Sequence, residues 1–239
     1  MATLFLIPAP LGDADTPWLP EPERLRVRHL THFVVEAEKT ARKHLKALGV
    51  TTPIRELSLQ TLNEHTPPQD VAALLMPLLA GQDVGLISEA GCPAVADPGA
   101  QLVALAHEKG IAVMPLIGPS SILLALMASG ANGQRFAFHG YLPVDAGERA
   151  QALKRLEARS REQDETQVFI ETPYRNDALL TQLRAQLAPD TRLAVACDLT
   201  LPTQTIISRR VRDWPAQAPT LHKRPTIFVL HAMPARPSR

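Results

Sequence analysis

Short apolar runs alternate along the chain with longer segments whose apolar residues recur every three or four positions. TLFLIP (3–8), HFVVE (32–36), DVGLIS (83–88) and IAVMPLI (111–117) are too short for helices and are closed by proline, glycine or polar residues, which predicts buried strands. KTARKHLKALG (39–49) puts Ala41, Leu45 and Leu48 on one face and stops at Gly49, the pattern of a surface helix with a glycine end. PQDVAALLMPLLAG (68–81) predicts a helix bent at Pro77, and AQLVALAHEKG (100–110) another with a glycine stop. GPSSILLALMASG (118–130) predicts a turn entering a helix with proline near its first position. Strands separated by helices, and apolar enough to be covered on both faces, predict a parallel α/β sheet.

The second half changes in character. RFAFHGYLP (135–143), QVFIE (167–171) and RLAVACD (192–198) read as strands, with helices at ERAQALKRLEARSRE (148–162) and RNDALLTQLRAQL (175–187). TQTIISRRV (203–211) and PTIFVLHA (225–232) are two further strands with a short loop between them, which predicts a mixed sheet ending in an antiparallel pair. The expected organisation is therefore two α/β domains. An N-terminal one (1–117) holds a parallel sheet, a C-terminal one (118–232) holds a mixed sheet, and 233–239 is a frayed tail.

Composition narrows the function classes. At 239 residues, 45% hydrophobic and 21% charged, the chain is too apolar for general disorder. A net charge of +1 provides no overall field that would pull it onto nucleic acid. Basic clusters at 24–28, 39–46, 149–161 and 209–212 read as solvated helix faces or as local patches. Cys92 and Cys197 are far apart and follow apolar runs, as small buried thiols do, so a reducing, cytoplasmic location is expected. The N-terminus has neither the charged region nor the long apolar region of a signal peptide, and no apolar run is long enough to span a bilayer, so no membrane is expected. The eight histidines are scattered without ligand spacing and no metal is expected; no nucleophile elbow occurs.

In open α/β sheets ligands collect at the carboxyl ends of the strands. Three loops at such ends, PAPLGD (8–13), SEAGCP (88–93) and IGPSS (117–121), are built from small residues that let a ligand reach the backbone. Neither G-x-G-x-x-G nor G-x-x-x-x-G-K-[ST] is present, so a ligand with a carboxylate, an amine and an uncharged sugar suits these loops better than a triphosphate. Glu89 can accept from an amine or hydroxyl. Asp97, in DPG, reads as a turn-former and helix cap.

LFLIPAPLGD, VGLISEAGCPAVADPG and GIAVMPLIGPSSILLALMASG with RFAFHGYLP together resemble the tetrapyrrole methylase superfamily of S-adenosylmethionine-dependent methyltransferases. FIETPYR (169–175) and ACDLT (196–200) are similar to later segments of the branch that methylates a ribose 2′-hydroxyl of bacterial small-subunit ribosomal RNA. The resemblance implies two α/β domains with S-adenosylmethionine in a cleft between them, usually in a homodimer. It implies Leu11, Ser88, Glu89, Ala90, Cys92, Ser120 and Ser121 as cofactor neighbours on one side, with Ile170, Ala196 and Pro225 on the other. Glu36, Lys39, Glu171 and Arg175, at strand ends or in the loops just beyond, are the candidate catalytic residues.

The departures bear on the acceptor. The branch's E-D-T-R segment reads EAEK here, its loop Asp and Thr are Glu89 and Cys92, and its Arg and Glu at the end of RLAVACD (192–198) are Cys197 and Asp198. Members of the branch continue into a further helical segment that this sequence lacks. Ribosomal RNA or the small subunit is the expected partner. A small-molecule or other acceptor, and a non-catalytic S-adenosylmethionine-binding protein, are the alternatives.

Overall fold

The computed structural model describes residues 2–13 and 17–234. The chain divides into two compact units, Met1–Ser120 and Ser121–Arg239. The turn Gly118–Pro119–Ser120 therefore belongs with the first unit, whereas the apolar pattern placed it at the start of the second.

The first unit holds five parallel strands: β1 (Thr3–Ile7), β2 (His32–Val35), β3 (Ser58–Thr61), β4 (Val84–Ile87) and β5 (Ala112–Pro115), in the order β3-β2-β4-β1-β5. Alternate side chains go to opposite faces, as strand geometry requires. Phe5, Ile7, Phe33, Val35 and Ile87 pack with Val27 of α1 (Glu21–Val27) and with Leu45 and Leu48 of α2 (Glu38–Leu48). On the other face Leu4, Val34, Val84 and Leu86 pack with Leu102 and Ala106 of α5 (Ala100–Glu108). Gly85 leaves room for this packing, since a Cβ there would lie 2.7 Å from both Ile7 Cδ1 and Phe33 Cδ1.

The segment expected as one bent helix is instead α3 (Pro68–Val71), a 3₁₀ turn (Ala72–Leu75) and α4 (Met76–Leu79). Pro77 has no N–H to donate, so it opens a new short helix at its first turn, where that donor is not needed. The sequence pattern did not reveal β3 or α1: β3 has only Leu59 as an apolar residue, and α1 is a charged, proline-opened turn with Val27 as its one buried residue.

The second unit begins with α6 (Ser121–Ser129) and holds β6 (Phe136–Tyr141), β7 (Thr166–Ile170), β8 (Arg192–Cys197), β9 (Thr205–Arg210) and β10 (Thr226–His231). The sheet order is β6-β7-β10-β8-β9. β6 and β7 are parallel, while β10 is antiparallel to both β7 and β8, and β9 is antiparallel to β8. The sheet is mixed as expected, but its last two strands do not pair with each other. The connection at 211–225 anchors Trp214 and Leu221 in the core and carries the chain past β8, so β10 enters between β7 and β8. Leu153 of α7 (Ala146–Gln163) and Leu179, Leu180 and Leu183 of α8 (Asn176–Gln186) cover Phe169, Val195 and Phe228. Phe169 and Phe228 stack at 5.9 Å. Of the expected tail, residues 235–239 lie outside the described residues, and Met233 and Pro234 have no regular structure.

Candidate active site

The strand order makes a crevice in the first unit. The connection after β2 runs outward to β3, whereas the connection after β4 runs the other way, across β1 to β5. The two connections diverge at the carboxyl ends of β2 and β4, and such a switch point is where open α/β sheets bind ligands. Glu36 leaves β2 there, and Ser88 and Glu89 leave β4. The Glu89 N–H donates to Glu36 Oε2 at 3.1 Å, and Thr40 Oγ1 donates to Glu89 Oε1 at 2.8 Å.

The three small-residue loops meet beside this crevice. Ala9 and Gly91 form an antiparallel bridge, with Ala9 N–H to Gly91 O at 2.8 Å and Gly91 N–H to Ala9 O at 3.1 Å. The Cys92 thiol donates to Pro119 O at 3.5 Å. A Cβ on Gly91 would touch Leu11 Cδ2 at 3.5 Å and Pro119 O at 3.9 Å, so the exits of β1, β4 and β5 converge within one side-chain length. Gly118 is fixed by space: a Cβ there would lie 2.4 Å from Pro8 Cβ and 2.6 Å from Pro8 Cγ. The β4 loop is also the most strained stretch of the unit, with Ala94 (φ 65°) and Ala96 (φ 63°) in the left-handed region beside Gly91 and Gly99.

Two residues that the sequence did not single out brace these loops. Trp18 Nε1–H donates to Pro8 O at 2.7 Å, and His44 Nε2–H donates to Glu89 O at 3.1 Å. The rings meet edge-on at 5.7 Å. Burial lowers the His44 pKa, so the ring is neutral and works as a hydrogen-bond donor rather than as an acid. Neither residue belongs to a local motif; each is identified only by the backbone carbonyl it reaches.

Asp97 does not cap a helix. The N-cap of α5 is Gly99, without a side-chain bond. Asp97 is half-buried, and burial first, then Glu36 and Glu89, push its carboxyl up to about 6. Ser88, 5% exposed, faces it and opposes that rise, yet its hydroxyl makes no hydrogen bond of full geometry. Burial, with Asp97 adding to it, raises the Cys92 thiol, so Cys92 is not a thiolate nucleophile. Ala90 is exposed in the same loop, Ser120 is half-exposed, and Lys39 is exposed in the first turn of α2. Among the other basic residues of α2, Arg42 donates to Glu38 and to Ile54 O, and Lys43 pairs with Asp13.

The corresponding edge of the second unit is built from paired charges. Glu171, buried just beyond β7, accepts from Thr172 N–H at 2.6 Å and from Arg175 Nε and Nη2 at 3.0 and 2.5 Å. Asp198, buried just beyond β8, accepts from Arg224 Nε and Thr203 Oγ1, each at 2.8 Å. Arg224 also donates to Thr203 O and Thr220 O. The antiparallel register brings Ile170 opposite Ile227, which faces Ala196 across β10 on its other side, and Asp198 N–H bonds to Pro225 O. Ile170, Ala196 and Pro225 are thus neighbours on one edge, and Glu171 and Arg175 are a mutual pair beside them. Ser121 opens α6.

Among the described residues no group of His, Cys, Asp and Glu is arranged to hold a metal ion, and no helix is long and apolar enough to cross a membrane.

Residues 28–214 match the family of tetrapyrrole (corrin/porphyrin) methylases. The chain is 32% identical over 218 residues, 90% of its length and 73% of the relative's, to ribosomal RNA small subunit methyltransferase I of Pseudomonas aeruginosa. It is 34% identical to the protein of the same name from Synechocystis, over 84% of this chain and 68% of that one. Among solved structures, the methyltransferase CobJ superposes with a TM-score of 0.62 at 19% identity, covering 97% of this chain and 98% of that one. Diphthine synthase superposes with a TM-score of 0.63 at 15% identity, covering 97% and 90%. At those identities the likeness speaks to the fold.

Proposed function

The chain belongs to the tetrapyrrole methylase family, and from that premise we propose that it is an S-adenosylmethionine-dependent methyltransferase whose acceptor is a ribose 2′-hydroxyl of small-subunit ribosomal RNA. The observation that carries this reading is the convergence of the three small-residue loops beside the β2–β4 switch point.

The residues present fit the cofactor. Ser88 offers a buried hydroxyl without a full hydrogen bond, and the exposed Ala90 leaves backbone open to approach. Glu36, Glu89 and Asp97 make the edge acidic, which suits ribose hydroxyls, an ammonium and a sulfonium and disfavours polyphosphates. Leu11, Ser88, Glu89, Ala90, Cys92 and Ser120 are the residues of the first unit that would hold the cofactor. When bound, S-adenosylmethionine supplies an electrophilic methyl on a positively charged sulfur. The chain's own part is to position an incoming hydroxyl in line and to exclude water. Glu36 is the candidate base for the hydroxyl proton, being at the crevice with one carboxylate oxygen bonded to Glu89 N–H. Glu171 is engaged by Arg175 and Thr172, so these two side chains order the loop after β7, and Lys39 faces solvent as a phosphate contact.

The same reading would have the protein act in the cytoplasm, and a homodimer is the expected assembly; sedimentation at micromolar concentration tests the latter. Calorimetric titration with S-adenosylmethionine and with its demethylated product tests the cofactor. Micromolar binding of both is expected, and no heat with either would remove the reading.

A further inference from the structure

The loop leaving β7 and the turn entering β10 are neighbours because those strands pair, with Ile227 opposite Ile170. What they present together is unusual for a surface. Tyr174 is 69% exposed, His222 meets its ring edge-on at 5.7 Å, and Lys223 Nζ lies 5.9 Å from its centroid. The backbone beneath is clamped at three points. Lys223 N–H donates to Pro173 O at 3.0 Å, Leu221 N–H to Asp177 Oδ1 at 2.7 Å, and Asn176 Nδ2–H to Arg224 O at 2.8 Å. Lys223 is held at φ 61°, a conformation that costs a residue with a side chain of order 1 kcal/mol, and these bonds retain it.

The nearby cations differ in kind. Arg175 and Arg224 are each neutralised by a buried carboxylate. Among the described residues no carboxylate pairs with Lys223, and its neighbour is the aromatic ring. An exposed ring braced from below, with an ammonium at its face, is the arrangement that binds single-stranded nucleic acid: a base stacks on the ring and a phosphate meets the cation.

Resting on the RNA methyltransferase reading, we propose that Tyr174, His222 and Lys223 form a stacking platform for one unpaired nucleotide of the RNA substrate. The base lies on Tyr174 and the adjoining phosphate on Lys223. An unpaired nucleotide is required because a base within a duplex has no free face to offer.

The test is fluorescence anisotropy with a short fluorescein-labelled single-stranded oligocytidylate, alongside calorimetry with S-adenosylmethionine. Tyr174→Ala is expected to weaken RNA binding about tenfold while Tyr174→Trp keeps it. Lys223→Gln is expected to weaken it less and to reduce the salt slope by about 0.7. Cofactor affinity stays unchanged in all three. If Tyr174→Ala binds the RNA as tightly as the wild type, or loses cofactor affinity instead, the platform is wrong and the methyltransferase reading survives. If the wild-type protein binds the cofactor but neither this RNA nor small-subunit particles, the RNA reading fails and takes the platform with it.

Discussion

The carboxyl edges of the two sheets solve opposite problems. In the first unit the edge is small and acidic: glycines and alanines bring backbone loops together, and Glu36, Glu89 and Asp97 share one crevice without a neutralising cation among their named partners. In the second unit every buried carboxylate at the edge has its guanidinium, Glu171 with Arg175 and Asp198 with Arg224, and the residues left over, Tyr174 and Lys223, point outward. A site for a cationic small molecule keeps its negative charge uncompensated. A surface for a polyanion must instead keep its own acids covered. Under the proposed reading, the same strand-end geometry would serve two ligand chemistries through the choice of which charges are paired.

The comparison breaks most sharply at Gly118. The change Gly118→Ala sets a methyl 2.4 Å from the Pro8 ring, which is held by its own backbone. We expect more than a tenfold loss of S-adenosylmethionine affinity by calorimetry and a destabilisation of about 3 kcal/mol by urea titration, at the upper end for overpacking. Unchanged affinity would show that the loop convergence does not form the site.

On the second edge, Arg224→Ala leaves Asp198 buried with Thr203 as its remaining side-chain donor. A cost of about 2 kcal/mol is expected in denaturant unfolding, below the range for a fully buried pair because the arginine is partly exposed. Adding Asp198→Asn should recover part of it, and a fully additive double variant would show that the pair is not coupled.

The smallest effect concerns Asp97. Its folded-state pKa is raised, to about 6 against 3.8 when unperturbed, so the folded protein holds this proton more tightly than the unfolded one. Stability is therefore gained as pH falls through 6 towards 4, and the cost of the charged carboxyl is present in full above 6. Asp97→Asn removes that cost. It should stabilise the protein by about 1 kcal/mol at pH 8, a figure reduced because the carboxyl is half open to solvent, and by nothing near pH 4. A gain that is the same at both pH values would place the cause elsewhere.

How much of this the sequence disclosed follows from what apolar periodicity reports. The buried strands β1, β2 and β4 are legible because both faces are covered and their runs are continuous, and the three small-residue loops are legible because a strand end followed by glycine, alanine and proline has few other uses. The edge strand β3 is not, since Leu59 is its one apolar residue. Pairing of β10 with β8 rather than with β9 was hidden because a short connection ordinarily makes a hairpin, and only the burial of Trp214 and Leu221 carries this one past β8. The supports of the site, Trp18 and His44, and the Asp198–Arg224 pair, act across 10 to 45 residues of chain, and no local pattern marks them.

The central claim is methyl transfer to small-subunit ribosomal RNA, and it is tested most directly by incubating the protein with methyl-labelled S-adenosylmethionine and small-subunit particles from cells lacking the native enzyme. Label in the RNA, recovered after nuclease digestion as a 2′-O-methylated nucleotide, is the predicted result. Cofactor binding with no label in the RNA would contradict it.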